Sequence, residues 1–159
     1  MKKFFNKKNL YWIIGIIFFL FIVHLPIMTK NIITADVLLN NSFYNGYSWE
    51  VSLGRFGLYI MGLLKSYLSI PHIELIISYI LISISIIIIF DLFDIKKNIN
   101  RILIILIMCI SPIISSTLLF HYCSVGYLLA LFLSILSLYI YYKWDNKYGK
   151  IILPIILLV

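Results

Sequence analysis

Residues 73–90 read IELIISYILISISIIIIF and contain a single charged residue, Glu74, close to the start of the run. A helix of about 20 residues crosses the roughly 30 Å hydrocarbon core of a bilayer, and this run approaches that length. A strand in lipid would leave backbone groups at the sheet edge unpaired, so we expect a helix. The segment therefore predicts a membrane-spanning helix that starts near Pro71. The carboxylate of Glu74, in its first turn, interacts favourably with the positive end of the helix dipole.

Apolar runs of similar length occupy residues 10–28, 102–120 and 123–142, and none of them contains a formal charge. Of the 159 residues, 63% are hydrophobic and 12% are charged, which is far from the composition of soluble domains. The buried core of a soluble protein does not repeat runs of this length. The sequence therefore predicts an all-α integral membrane protein, a multi-span helical bundle that forms a single transmembrane domain over residues 1–159.

Most of the 13 lysines and arginines lie in three clusters beside the apolar runs. The clusters are Lys2, Lys3, Lys7 and Lys8; Lys96, Lys97 and Arg101; and Lys143, Lys147 and Lys150. Positive charge in short loops stays on the cytoplasmic side, so all three clusters are predicted to face the cytoplasm. This distribution explains the net charge of +7 without a nucleic-acid partner. We expect a multi-pass membrane protein with a cytoplasmic N-terminus.

The chain must cross the bilayer twice between successive clusters, so one apolar stretch before Lys96 has to remain outside. Residues 52–70 are the exception, because a helical wheel places Ser52, Arg55, Ser66 and other polar residues on one stripe. This pattern predicts an amphipathic helix at the outer interface, or packed over a polar cavity. The predicted spans are residues 10–28, 73–93, 102–120 and 123–142, with an outer loop over 29–70 and an incomplete fifth span over 151–159.

The outer loop is the least lipid-like part of the chain and holds Asp36, Glu50 and Arg55 among aromatic residues that include Trp49. Aromatic side chains at this depth are typical of an interfacial belt. Asp36 is compatible with a solvated loop carboxylate or a helix cap, and Arg55 with an ion pair to Glu50 or with a lipid phosphate. The loop is longer than two helices need for their connection, which favours a ligand site near the lipid headgroups.

Two segments resemble a known family. Residues 43–64 read FYNGYSWEVSLGRFGLYIMGLL, with the pattern W-E-x-x-L-G-R, and residues 111–133 read SPIISSTLLFHYCSVGYLLALFL, a Ser-Pro within a span followed by an aromatic outer turn. Together they resemble the membrane glucosyltransferases of the serotype-converting, glucosyltransferase II type. That family's proteins are much longer, so the resemblance implies a chain that continues beyond Val159 with further spans and acceptor contacts.

The resemblance implies a C-type glycosyltransferase fold in the bacterial plasma membrane. It also implies transfer of a sugar, glucose in this family, from a polyprenyl-phosphate carrier to a cell-envelope glycan at the outer face. The expected catalytic base is the acidic residue of the first outer loop, which corresponds to Asp36. Members often have an Asp-Asp pair there, whereas Ala35 precedes Asp36 in this chain.

Glycosyl transfer requires a base for the acceptor hydroxyl and positive charge for the departing phosphate. Asp36 provides the first, and the planar guanidinium of Arg55 suits the second. Glu50 and Trp49 in the loop, and His121 and Tyr122 at the second outer turn, are further candidates for substrate contact. Their positions follow from the predicted topology.

The two cysteines, Cys109 and Cys123, have no metal-ligand spacing, and the sequence indicates no metal or other cofactor. Two alternatives to an enzyme stay open at this point. A transporter or flippase fragment would have charged or broken helices that meet at mid-membrane, and these spans are nearly free of charge at their centres. A non-catalytic membrane subunit that binds lipid or protein partners is the other.

Overall fold

The computed structural model describes residues 6–29, 51–66, 68–143 and 149–158, and within these ranges the protein is all-α. The helices are α1 (Lys7–Val23), α2 (Leu25–Thr29), α3 (Phe56–Leu64), α4 (Pro71–Leu92), α5 (Asn98–Ile110), α6 (Pro112–Leu119), α7 (His121–Lys143) and α8 (Gly149–Leu158). No strand occurs among the described residues.

Helix α4 is the centre of the bundle, and its main neighbours are α7 and α1. It begins at Pro71, whose fixed φ suits a first helical position, and it buries residues on several sides, including Leu75, Tyr79, Ile82 and Ile86. Helices α4 and α7 run parallel, because residues near their starts contact each other and so do residues near their ends. Near the starts, the hydroxyl oxygens of Ser78 and Ser124 lie 3.4 Å apart. At the far end the Tyr139 hydroxyl donates a hydrogen bond to Asp91 at 2.7 Å. Small serines at this contact let the two helices approach closely.

Helices α4 and α7 are both long and apolar enough to cross a membrane. Helices α5 and α6, which meet at a bend of 42°, are a third candidate span by length and composition if they are taken together. The sequence predicted an unbroken span over residues 102–120. The break follows from Pro112, which has no backbone N–H to continue the hydrogen-bond ladder of α5.

The first apolar run also contains a break that the sequence did not predict. Helix α1 ends at Val23, and the short α2 resumes after His24, next to Pro26. His24 is buried, and its Nε2 lies 3.1 Å from the carbonyl oxygen of Cys109 in α5. The break thus places a polar side chain where it links α1 to a neighbouring helix.

Helix α3 corrects the prediction of one amphipathic helix over residues 52–70. It has nine residues, about 14 Å, because Gly54 before it and Ser66 after it adopt left-handed backbone conformations with φ of 78° and 51°. Arg55 and Lys65 therefore cap the two ends of a short helix instead of sharing a long polar stripe. The helix buries Leu58 and Gly62 and exposes most of its other apolar side chains.

Charged side chains, with aromatic residues beside them, lie at the two ends of α4. Glu74 near one end and Phe90 near the other are separated by about 24 Å along the helix. We call the first the cavity end, defined by Arg55, Lys65, Glu74 and Tyr122. The second, the basic end, is defined by Trp12, Phe90, Asp94, Lys96 and Arg101. Between them lies an apolar core built from α1, α4, α5, α6 and α7.

Candidate functional site

A cavity of about 550 Å³ opens between α3, α6 and α7 at the cavity end. Its walls are largely apolar, with hydroxyl groups and one guanidinium at intervals. The lining residues are Arg55 before α3; Ile113, Ile114, Ser116 and Thr117 of α6; Phe120 between the helices; and Tyr122, Cys123, Tyr127, Leu128 and Leu131 of α7.

Arg55 is positioned by the turn that starts α3. Gly54 reverses the chain with a positive φ, and Arg55 follows as the residue that caps the helix N-terminus. Its guanidinium donates a hydrogen bond to the hydroxyl of Tyr127 at 3.1 Å. A planar cation is thus held at the wall of the cavity, where its fork matches the geometry of phosphate or carboxylate oxygens.

Helix α3 packs on the first turns of α7 through Leu58. Leu58 and Cys123 form a small buried cluster, against which Phe120 and Tyr122 pack. Gly126 permits this approach, because a Cβ atom there would collide with the end of the Leu58 side chain. The contact brings the element that carries Arg55 against the wall that carries Tyr122.

A part-buried ion pair lies beside the cavity, between Lys65 at the end of α3 and the buried Glu74 in the first turn of α4. Lys65 Nζ lies 2.9 Å from Glu74 Oε1, and the side chains are 22% and 4% exposed. The sequence had explained Glu74 by the helix dipole alone. The available signal was a carboxylate within an apolar run, because ionisable groups at such positions are paired or functional.

The predicted substrate residues at the second outer turn point in different directions. Tyr122 lines the cavity with Arg55. His121 is buried and is not one of the lining residues, and its Nδ1 has no hydrogen-bond partner among the described residues. Asp36, Trp49 and Glu50 lie outside the described residues. The structure therefore brings together Arg55 and Tyr122, and leaves His121 behind the cavity wall.

Comparison with known protein families identifies a match over most of the chain. The family model described as glucosyl transferase GtrII matches residues 25–159. No curated protein and no solved structure matches the chain. The matched range includes all the helices from α2 onward and every residue that lines the cavity. The chain belongs to the glucosyl transferase GtrII family, as the resemblance in its sequence implied.

Proposed function

We propose that this glucosyltransferase takes glucose from a polyprenyl-phosphate carrier and transfers it to a cell-envelope glycan at the outer face of the bacterial plasma membrane. The observation that carries the proposal is the guanidinium of Arg55 on the wall of a largely apolar cavity. A polyprenyl phosphate combines an anionic group with a long apolar chain. The cavity has the matching combination of surfaces.

The roles of the cavity walls follow from this match. Arg55 binds the phosphate oxygens, supported by the Tyr127 hydroxyl that it contacts. Isoprene units nearest the phosphate pack against Ile113, Leu128 and Leu131, where burying apolar surface contributes about 25 cal/mol per Å². The hydroxyls of Ser116 and Thr117 are the polar groups available on the α6 wall for a sugar.

The chemical step uses the outer loop. Asp36 accepts the proton of the acceptor hydroxyl, and the hydroxyl oxygen forms a bond to C1 of glucose. The bond between C1 and the phosphate oxygen breaks, and its electron pair remains on the polyprenyl phosphate. Arg55 offsets the negative charge that develops there. The products are the glucosylated glycan and the free carrier phosphate.

The distribution of charge supports an outer location for this site. Lys96, Lys97, Arg101 and Lys143 lie at or beyond the ends of α4 and α7 that are remote from the cavity. If these residues face the cytoplasm, the cavity end faces outward. A lipid-linked donor is accessible there, whereas nucleotide sugars are cytoplasmic.

The test compares two donors in membranes that contain the protein. Radiolabelled glucose is supplied either on a short polyprenyl phosphate or on a nucleoside diphosphate, and incorporation into envelope glycan is measured. We expect transfer from the lipid-linked donor alone. Direct transfer from the nucleoside diphosphate sugar would overturn the proposal, and movement of the lipid donor across the membrane without transfer would favour a flippase.

A further inference from the structure

The side chain of Lys65 connects three helices at the edge of the cavity. It leaves the C-terminal end of α3 and reaches Glu74 in the first turn of α4, at 2.9 Å. The same ammonium group donates a hydrogen bond to the backbone carbonyl of Tyr122 in the first turn of α7, at 3.0 Å. Tyr122 in turn is one of the residues that line the cavity.

Helix α3 is therefore held against α7 at three points along its length. Arg55 at its start bonds the Tyr127 hydroxyl, and Leu58 in its first turn packs against Cys123. Lys65 at its end bonds the Tyr122 carbonyl. The helix is too short to be stable by itself, because isolated helices below about 12–15 residues are marginal in water. Its orientation depends on these contacts.

We propose that Lys65, with Glu74 as its counter-ion, is a positioning residue that fixes α3 so that Arg55 and Tyr122 face the same donor phosphate. The inference rests on the proposed function, because it assigns Lys65 a role in binding the polyprenyl-phosphate donor. Lys65 does not line the cavity and acts through Arg55 and Tyr122.

A structural role and a positioning role are separable at this pair. Removing Lys65 alone leaves the carboxylate of Glu74, 4% exposed, without its counter-ion, which destabilises a fold severely. Replacing both members by apolar side chains of similar volume is often neutral for stability. We therefore expect the double variant Lys65→Met/Glu74→Leu to retain the fold and to lose the link to Tyr122.

The first experiment measures donor kinetics in the double variant. We expect KM for the lipid-linked donor to rise about tenfold and kcat to fall by a smaller factor, because the displaced Arg55 weakens donor binding and stabilises the departing phosphate less well, while the base is unaffected. The matched control is Lys96→Met/Asp94→Leu, which removes an exposed ion pair of the same kind at the basic end. We expect donor KM to be unchanged in this control.

The second experiment measures the docking of α3 without any catalysis. A Leu58→Cys variant in a Cys109→Ser background places a thiol beside the native Cys123, and a short bifunctional thiol reagent joins the two. We expect the crosslink yield to fall about threefold or more when Lys65→Met/Glu74→Leu is added, and to be unaffected by the control pair. A Cys123→Ala variant identifies the crosslinked product.

The outcomes separate this inference from the proposed function. Parental values of KM and of crosslink yield in the double variant would overturn the positioning role. Lys65→Arg retains the charge and a donor for each acceptor, and we expect it to preserve both values within about twofold. Failure of this variant and the double variant alike to fold would assign the pair to folding alone and overturn the inference. If the parent shows no transfer from the lipid donor, the proposed function fails while the crosslink yield still decides how α3 is held.

Discussion

The cavity end and the basic end of the bundle each contain an arginine and a lysine–carboxylate pair, but in different surroundings. At the basic end the Arg101 guanidinium stacks 5.3 Å from the Phe90 ring and 5.9 Å from the Trp12 ring. Its Nε donates to the carbonyl of Ile95 at 2.7 Å. At the cavity end Arg55 stands on the wall of a cavity. The first arginine is half-buried against aromatic rings of its own chain, and the second lies at the cavity in which we propose that the donor binds.

The two ion pairs differ in the same way. Asp94 and Lys96 are 71% and 80% exposed and lie 2.9 Å apart. Their mutual hydrogen bond holds the pKa of Asp94 below and the pKa of Lys96 above its ordinary value, so both are charged at neutral pH. Water screens this pair, whereas the partner of Lys65 is almost fully buried. Loss of the lysine is therefore expected to cost more stability at the cavity end than at the basic end, although both pairs join a lysine to a carboxylate.

The sidedness of the two ends gives the largest expected effect, which is all or none. A cysteine introduced at Asn45 should be labelled by an impermeant thiol reagent from outside, and one at Asn98 only after the membrane is opened. The native cysteines are buried and provide the background. Labelling of both positions from outside would contradict the predicted topology.

The Asp36→Asn variant should lose roughly 100- to 10,000-fold in kcat, because Asn preserves size and hydrogen bonding but accepts no proton. The measurement is glucose transfer at saturating donor in membranes with matched protein content. Asp94→Asn, at the basic end, is the control and should retain activity. A normal kcat in the Asp36→Asn variant would show that Asp36 is not the base and would make Glu50 the next candidate.

The Lys65→Met variant tests whether the two ion pairs contribute differently to the stability of the fold. It should lower the free energy of unfolding in detergent by on the order of 3 kcal/mol, because the buried Glu74 loses its counter-ion. Lys96→Met should leave thermal stability unchanged within error, since its partner is solvated. Equal effects in the two variants would show that the environments are not as different as their exposures indicate.

The Arg55→Lys variant should have the smallest effect of the four, an increase of about tenfold in donor KM with little change in kcat, because a point charge replaces a bidentate fork. The matched variant Arg101→Lys should leave donor KM unchanged and reduce thermal stability instead, through the loss of stacking on Trp12 and Phe90. A rise in donor KM for Arg101→Lys would remove the functional distinction between the arginines.

Sequence patterns predicted the long helices and the family, but not the details on which the site depends. The apolar runs indicated helices where α4 and α7 lie, because length and hydropathy are properties of the segment itself. The helix breaks at His24 and Pro112 were not predicted. A count of apolar residues does not register that the nearby prolines lack the backbone N–H that a continuous helix needs. The predicted length of the interfacial helix was wrong, because Gly54 and Ser66 adopt left-handed backbone conformations that limit α3 at its two ends.

The candidate site was predicted in part. Arg55 and Tyr122 were both chosen as substrate residues, and the structure places them on one cavity, although that role stays a prediction. The pairing of Lys65 with Glu74 was out of reach, because it depends on how the chain turns between α3 and α4. A helical wheel had assigned Lys65 to the edge of a polar stripe.

Helix α6, which follows the bend at Pro112, has two faces that differ in how freely their residues can change during evolution. On one face Ile114 and Leu118 belong to the core, and Ile114 also lines the cavity; on the other Ile113 is 74% exposed and lines the cavity with Ser116 and Thr117. Substitutions at these three positions reshape the cavity wall without touching the packing of α4. If the cavity binds the donor as proposed, we expect variation among members of the family to concentrate on this exposed face and to spare Leu118.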